Sequence, residues 1–264
     1  MKIHGNVVWI TGASSGIGES LVYEMDKRGA KIIISARRLS VLEEVKARCQ
    51  NQENIKVLPL DLEETSVLDS KVTEAISLFG KVDILVNNGG LSQRSLAKDT
   101  KISVDERLMK INYIGSVALA KCLLPHMLSN KIGQIVTVSS MVGKFGTPMR
   151  SSYAATKHAL HGFMDSLRAE VASEGLTVTL VCPGFVSTNV SLNALTGDGK
   201  AQGTMDNQTK SGIDPKKFAI LMANAIEFNK REVYIAGFKE KFGLYVNRFF
   251  PSLFHRLIRK MAVT

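Results

Sequence analysis

No stretch of the sequence approaches the ~18 consecutive apolar residues that a membrane-crossing helix needs, so no span is expected. Cysteine is scarce: Cys49, Cys122 and Cys182 are the whole complement. They are too few and too far apart for a disulfide framework or a zinc site, and they suit a reducing compartment. The five histidines show no metal-ligand spacing, so no metal is expected. Only six prolines interrupt 264 residues, which leaves room for long regular elements in one α/β domain. The first strand-like run begins so close to Met1 that a secretory leader has no place, and a cytoplasmic protein is the expectation. There is no internal repeat. Acidic residues are outnumbered by basic ones, 24 against 34, for a net charge of +10.

What is present is an alternation of short apolar runs and amphipathic stretches. Strands are expected at Val7 to Ile10, Lys31 to Ser35, Ile55 to Leu60, Val82 to Val86, Gln134 to Ser139, Leu176 to Cys182 and Glu232 to Ala236. Crossover helices fit between them, with Gly29 placed to end the first. The pattern predicts an α/β fold, a doubly wound parallel sheet of about seven strands with helices on both faces. After the first strand comes Thr11-Gly12-Ala13-Ser14-Ser15-Gly16-Ile17-Gly18. Glycines at these places let backbone approach a pyrophosphate and aim the N–H groups of the next helix at its charge. Taken alone, such a turn also fits a tight strand-to-helix connection without a ligand.

Farther along, Tyr153 and Lys157 are four residues apart in a stretch, Ser151 to Ser173, that reads as helix, so they share a face. A fixed ammonium beside a phenol favours the phenolate and brings the group into a range where it exchanges protons. Ser140, at the end of a predicted strand, has a hydroxyl able to bond a reacting oxygen. A lone pair of this kind is ordinarily a buried ring and a solvated amine. The ordered combination with the glycine turn argues for catalysis, with Tyr153 as general acid or base.

These residues, with Asp61, Asn87-Asn88-Gly89-Gly90, Asn112 and Pro183-Gly184 in the same order, make the chain resemble the short-chain dehydrogenase/reductase family over about residues 6–237. Asn87 to Leu96 is also similar to that family's member seven branch, whose relatives are often membrane-attached. Gly90 replaces the usual alanine, a change expected to matter little sterically. The resemblance implies a Rossmann-type fold and carbonyl–alcohol oxidoreduction with a nicotinamide cofactor. It implies that Lys157 also holds the nicotinamide ribose and that Asn112 supports a proton-relay water. Asp61 and Leu62 would flank the adenine, and Asn87, Asn88 and Gly89 would line the cleft. Pro183, Gly184, Val186 and Thr188 would adjoin the nicotinamide. Ala36 occupies the place of the carboxylate that selects NAD(H), and Arg37 and Arg38 follow it, so NADP(H) is expected. A homodimer or homotetramer is implied by analogy.

The stretch 185–213 is long for a loop and is expected to act as a substrate lid. Val142, Phe145, Met149 and Phe185 are candidate substrate contacts and suggest a lipophilic carbonyl or alcohol, such as a steroid, retinoid or lipid-like compound. A 3-ketoacyl thioester is an alternative substrate, and a non-catalytic dinucleotide-binding regulator an alternative of another class. Residues 1–238 are read as the catalytic domain and 239–264 as an extension. The extension has six lysines or arginines against one glutamate, half the net charge of the chain. Phe242, Tyr245, Phe249, Phe250, Leu253, Phe254, Leu257, Ile258 and Met261 recur there at helical spacing, and Pro251 is expected to divide two short amphipathic helices. Such an end suits peripheral contact with an anionic membrane; packing over the cleft or against a second subunit is the competing expectation. Nucleic-acid binding is not expected, because no recognition motif accompanies the charge.

Overall fold

The structure, a computed structural model, describes residues 1–259. Its seven strands are β1 (Val7–Thr11), β2 (Lys31–Ser35), β3 (Ile55–Val57), β4 (Ile84–Asn87), β5 (Gly133–Val138), β6 (Leu176–Pro183) and β7 (Glu232–Ile235). They form one all-parallel sheet in the order β3-β2-β1-β4-β5-β6-β7. Chain order reverses between β1 and β4, and the carboxyl ends of strands at such a reversal open a crevice for a ligand.

Both faces of the sheet are covered, which is why the central strands are apolar throughout rather than alternating. On one face α1 (Gly16–Lys27) packs beside a later helix, Pro215–Glu227, with Leu21, Met25, Phe218 and Met222 fully buried. On the other face lie α3 (Leu68–Phe79), a continuous helical run from Ile102 to Asn130, and α6 (Ser151–Glu170). The run consists of α4 (Ile102–Leu108), a π-helical segment (Met109–Gly115) and α5 (Ser116–Asn130). By length and composition it could cross a membrane, but Leu119, Leu123 and Met127 are buried against the sheet. It is a core helix. The remaining helices are α2 (Leu39–Ala47), α7 (Asn207–Lys210), α8 (Pro215–Glu227), α9 (Phe238–Phe249) and α10 (Pro251–Ile258).

Local signals worked where backbone chemistry forced them. Gly29 takes the left-handed conformation, φ 76°, immediately after α1, and Pro251 opens α10 at its first turn. β3 is shorter than its apolar run: it ends at Val57, although Leu58 and Leu60 still donate their N–H groups to Ile34 O and Ala36 O at 3.0 Å. The stretch 185–213 is more structured than a loop, holding α7 and bridges that pair Val186 with Ile213 and Leu195 with both Gln93 and Ala201. Residues 260–264, Lys260 and Met261 of the basic extension among them, lie outside the described residues.

Candidate functional site

A cavity of about 620 Å³ opens at the carboxyl ends of the strands, and the glycine turn forms its floor. Gly12 and Gly16 have φ of 64° and 60°. A Cβ on Gly12 would lie 2.7 Å from Gly89 Cα, so the turn and the end of β4 meet at a distance only glycine allows. Thr11 Oγ1 accepts the N–H groups of Asn88 and Gly89 at 3.0 and 3.1 Å, and Asn88 Nδ2 donates to Thr11 O at 3.0 Å. This brace leaves the N-terminus of α1 facing open space.

Thr11, Gly12, Ser14, Ser15, Gly16 and Ile17 border the cavity, as do Arg37, Arg38, Asp61 and Leu62. So do Asn88, Gly89, Ser140, Tyr153, Lys157, Pro183, Gly184, Val186 and Thr188. Others of the expected set lie elsewhere. Gly18 packs α1 against Gly12 O, where a side chain would collide. Asn87 is buried, its Nδ2 3.3 Å from Ser116 O. Val142 and Phe145 are buried, and the Phe145 ring packs 5.0 Å from that of Phe254 in α10. Met149 has φ 61° and its carbonyl accepts Ser95 N–H at 3.1 Å, while Phe185 lies beneath the Arg150 guanidinium at 5.3 Å. None of these four apolar candidates borders the cavity.

At the end of the cavity where β5 and α6 meet, β5 leads into Ser140 and α6 carries Tyr153 and Lys157. The Ser140 hydroxyl accepts Val142 N–H at 3.3 Å, which caps the short turn Met141–Gly143 and fixes the serine rotamer. Lys157 Nζ donates to Val138 O at 2.8 Å and lies 5.7 Å from the Tyr153 ring centroid. Burial brings the Lys157 ammonium down to about 8. Burial also pushes the Tyr153 phenol above its usual range, and three groups oppose it: a hydrogen bond with Ser140 and the guanidiniums of Arg150 and Arg94. The guanidiniums of Arg150 and Arg94 thus favour the phenolate, while one N–H of Lys157 is held by β5.

Asn112 is fully buried in the π-helical segment. Its Oδ1 accepts Leu91 N–H at 2.8 Å, and its Nδ2 donates to Leu91 O and Thr156 Oγ1 at 2.9 and 3.1 Å. A Cβ on Gly90 would stand 2.9 Å from Asn112 Oδ1 and 3.9 Å from Lys157 Nζ, so the glycine is not the neutral replacement its sequence context suggests. Sequence reasoning missed Gln93, Arg94, Arg150 and Asp206, which join this end of the cleft to the 185–213 segment. Asp206 is 112 residues from its Arg94 partner, a separation no local pattern reveals.

Behind the site, His161, Cys182 and Glu232 offer donor atoms within 4.8 Å of one another. The carboxylate is already paired: Lys144 Nζ lies 2.7 Å and Tyr234 Oη 2.9 Å from Glu232 Oε1. Burial, with Lys144 nearby, brings His161 down to about 4. An unfolded chain binds a proton at a histidine near ~6.5, one the folded site refuses until about pH 4. Folding stability contributed by a neutral His161 is therefore present above about 6.5 and is lost as pH falls toward 4. His161→Gln should flatten this part of the stability curve, read as the difference between variant and wild-type urea midpoints at neutral pH and at about pH 4.5. Parallel curves for the two proteins would show that His161 does not carry the effect.

With this geometry in view, the comparisons with known proteins agree. A sequence model described as short chain dehydrogenase matches residues 6–197. An Anopheles gambiae protein called dehydrogenase/reductase SDR family protein 7-like is 43% identical over 98% of this chain and 84% of its own. Human dehydrogenase/reductase SDR family member 7 is 41% identical over 97% of this chain and 77% of its own. A crystal structure of a short-chain dehydrogenase from Streptomyces avermitilis superimposes with a TM-score of 0.80 at 28% identity, covering 97% of this chain and 96% of that one. The chain belongs to the short-chain dehydrogenase/reductase family, on the branch of its member 7 relatives, and is by that membership an oxidoreductase.

Proposed function

We propose that the chain is an NADP(H)-dependent oxidoreductase that interconverts a carbonyl and an alcohol on a lipophilic substrate. The observation that carries this reading is the convergence of Ser140, Tyr153 and Lys157 on the same cavity as the glycine turn. The turn fits a dinucleotide: Gly12, Gly16 and Gly89 let the turn, the end of β4 and Thr188 approach at distances a Cβ would not allow, so that bare backbone borders the cavity beneath the N-terminus of α1. When bound, a reduced nicotinamide supplies hydride to the carbonyl carbon. Ser140 Oγ then bonds the substrate oxygen as negative charge develops there, and Tyr153 Oη gives that oxygen its proton; in oxidation the same phenolate removes it. Lys157 Nζ donates to Val138 O and holds α6 to β5, and it borders the cavity, where its remaining donors would meet the nicotinamide ribose. Asn112 ties the 90–91 backbone to α6 through Thr156.

NADP(H) is favoured by Arg37 and Arg38, both exposed at the cavity edge beyond β2, with the small Ala36 where a carboxylate would repel a 2′-phosphate. Tyr153→Phe should reduce turnover of carbonyls with NADPH by roughly a thousandfold or more while NADPH affinity stays within about twofold. Arg37→Ala with Arg38→Ala should raise the KM for NADPH by about tenfold and leave that for NADH unchanged. Steady-state kinetics and cofactor titration check both. Full activity in Tyr153→Phe would remove the phenol from the reaction, and cofactor binding without turnover on any carbonyl would favour the regulator.

The apolar residues of α9 suggest where the enzyme works. Phe238, Phe242, Tyr245 and Phe249, spaced 4-3-4, form one helical stripe, with Phe238 83% and Phe249 68% exposed. The opposite side of α9 holds the body: Glu240 Oε1 accepts Phe185 N–H at 3.3 Å, and Asn247 Nδ2 donates to Lys144 O at 3.3 Å. Lys239, Lys241 and Arg248 flank the stripe, and Phe250, Leu253 and Leu257 extend it along α10. Aromatic rings between basic residues suit peripheral docking on an anionic bilayer, each cation near the surface adding about 1 kcal/mol. The helix pair abuts the loops that follow Ser140 and Gly184, so docking would bring the cleft close to lipid. The protein should co-sediment with phosphatidylserine vesicles, and Phe242→Ser with Phe249→Ser should abolish this without changing the unfolding midpoint. Equal sedimentation of the two proteins would contradict docking through this stripe.

A further inference from the structure

Leu91 to Arg94 is a short segment with an unusual number of long-range commitments. Leu91 is bonded through both backbone groups to Asn112. Ser92 O accepts Leu195 N–H at 2.9 Å, and Arg94 N–H donates to Leu195 O at 2.8 Å, so the 185–213 segment is stitched to it as an extra parallel bridge. Gln93 Oε1 accepts the backbone N–H groups of Ser152 and Tyr153 at 2.9 and 3.2 Å. A side chain from after β4 thus caps the helix that carries the phenol, satisfying donors no earlier residue of α6 reaches. Gln93 Nε2 is held in turn by Thr100 Oγ1 at 3.1 Å.

Arg94 completes the set. Its Nε and Nη2 lie 2.8 and 2.5 Å from Asp206 Oδ2, and its Nη1 donates to Ser92 Oγ and Gln93 O at 2.9 and 2.6 Å. The two side chains are 3% and 1% exposed. Asp206 Oδ1 accepts Gln202 Nε2 at 2.9 Å, and Asp206 N–H donates to Ser191 Oγ at 3.2 Å. Arg150, immediately before α6, brings its Nη2 to 3.8 Å from the same Asp206 oxygen and stacks on Phe185. A buried ion pair is a poor source of net stability, because both ions lose water, and a strong source of geometric definition, because a lost partner leaves an uncompensated charge.

We infer that Arg94 and Asp206 form a buried latch that holds the 185–213 segment against the Tyr153 end of α6, with Gln93 fixing the helix end, and that these three are positioning residues for the reaction. The guanidiniums of Arg94 and Arg150 both approach the Asp206 carboxylate, and both favour the phenolate of Tyr153. The charged and titratable groups around Tyr153 include Lys157 on its own helix, Arg150 before it, Arg94 from the segment after β4, Asp206 behind Arg94, and Asp105 of α4, which is hydrogen-bonded to the adjoining Ser152. Ser140 faces it from β5, and both guanidiniums act to lower its proton affinity. The latch rests on the fold; its effect on turnover rests on the proposed reaction.

The two ends of the pair give opposite signs. Asp206→Asn removes the negative charge and leaves two cations by the phenol, so the tyrosine limb of the pH–rate profile should move to lower pH, by about half a unit or more. Arg94→Gln removes a cation and should move it up. Arg94→Lys keeps the charge but loses the two-point contact, and should leave the limb in place while raising substrate KM about tenfold. In parallel, hydrogen exchange of residues 185–213 should accelerate in Asp206→Asn and Arg94→Lys more than that of the β5 and β6 amides. Exchange unchanged in that segment would overturn the latch whether or not a substrate is known. Faster exchange with pH limbs that shift in the same direction for Asp206→Asn and Arg94→Gln would overturn the positioning role.

Discussion

A buried ammonium governs the geometry of this site. Lys157 has no carboxylate partner among the described residues; its Nζ is held 2.8 Å from the carbonyl oxygen of Val138, the last residue of β5, and burial brings its proton affinity down. A charge in that position is tolerable only with strong acceptors close by, so α6 must lie where Lys157 can reach the end of β5. The same placement sets Tyr153, one turn earlier, beside Ser140, two residues beyond Val138. If α6 slid by a turn, the ammonium would lose its acceptor and the phenol would lose its serine together. The placement of Tyr153 beside Ser140 and the burial of the lysine are one constraint.

The second organising feature is the segment after β4. The sheet reverses its order between β1 and β4, and the two loops at that reversal, the glycine turn and the segment after β4, meet at the centre of a cavity that residues following β2, β3, β5 and β6 complete. Asn88 braces the glycine turn, Leu91 holds Asn112, Gln93 caps α6 and Arg94 reaches Asp206. Seven consecutive residues therefore link the glycine turn, the helix that carries Tyr153 and the 185–213 segment. Their bonds are directional and mostly buried, which makes them suited to setting distances rather than adding bulk stability.

How much of this could be read from the chain depended on the range of the interaction. Strands such as Leu176–Pro183 were legible because a parallel sheet buried on both faces demands continuous apolar runs. The glycine turn was legible because backbone at positive φ leaves few residue choices. The division of the basic extension at Pro251 followed from proline lacking an N–H, whereas the direction of its faces did not: Phe254 turns inward to Phe145, and Phe249 outward. Phe145 follows Ser140 closely in sequence, but the turn at Met141–Gly143 sends it toward α10 rather than the cavity. The source of positive charge on Tyr153 was also illegible locally, since helical spacing points to Lys157 and says nothing of Arg94, fifty-nine residues earlier.

Direct hydride transfer at this site is tested most simply with a labelled cofactor. Reduction of an accepted carbonyl by NADPH carrying deuterium at the transferable nicotinamide C4 position should give an alcohol with one deuterium on the carbinol carbon. The hydroxyl proton should come from solvent by way of Tyr153, and Tyr153→Phe should yield almost no product. An unlabelled alcohol, or labelled alcohol formed equally well by Tyr153→Phe, would contradict the account.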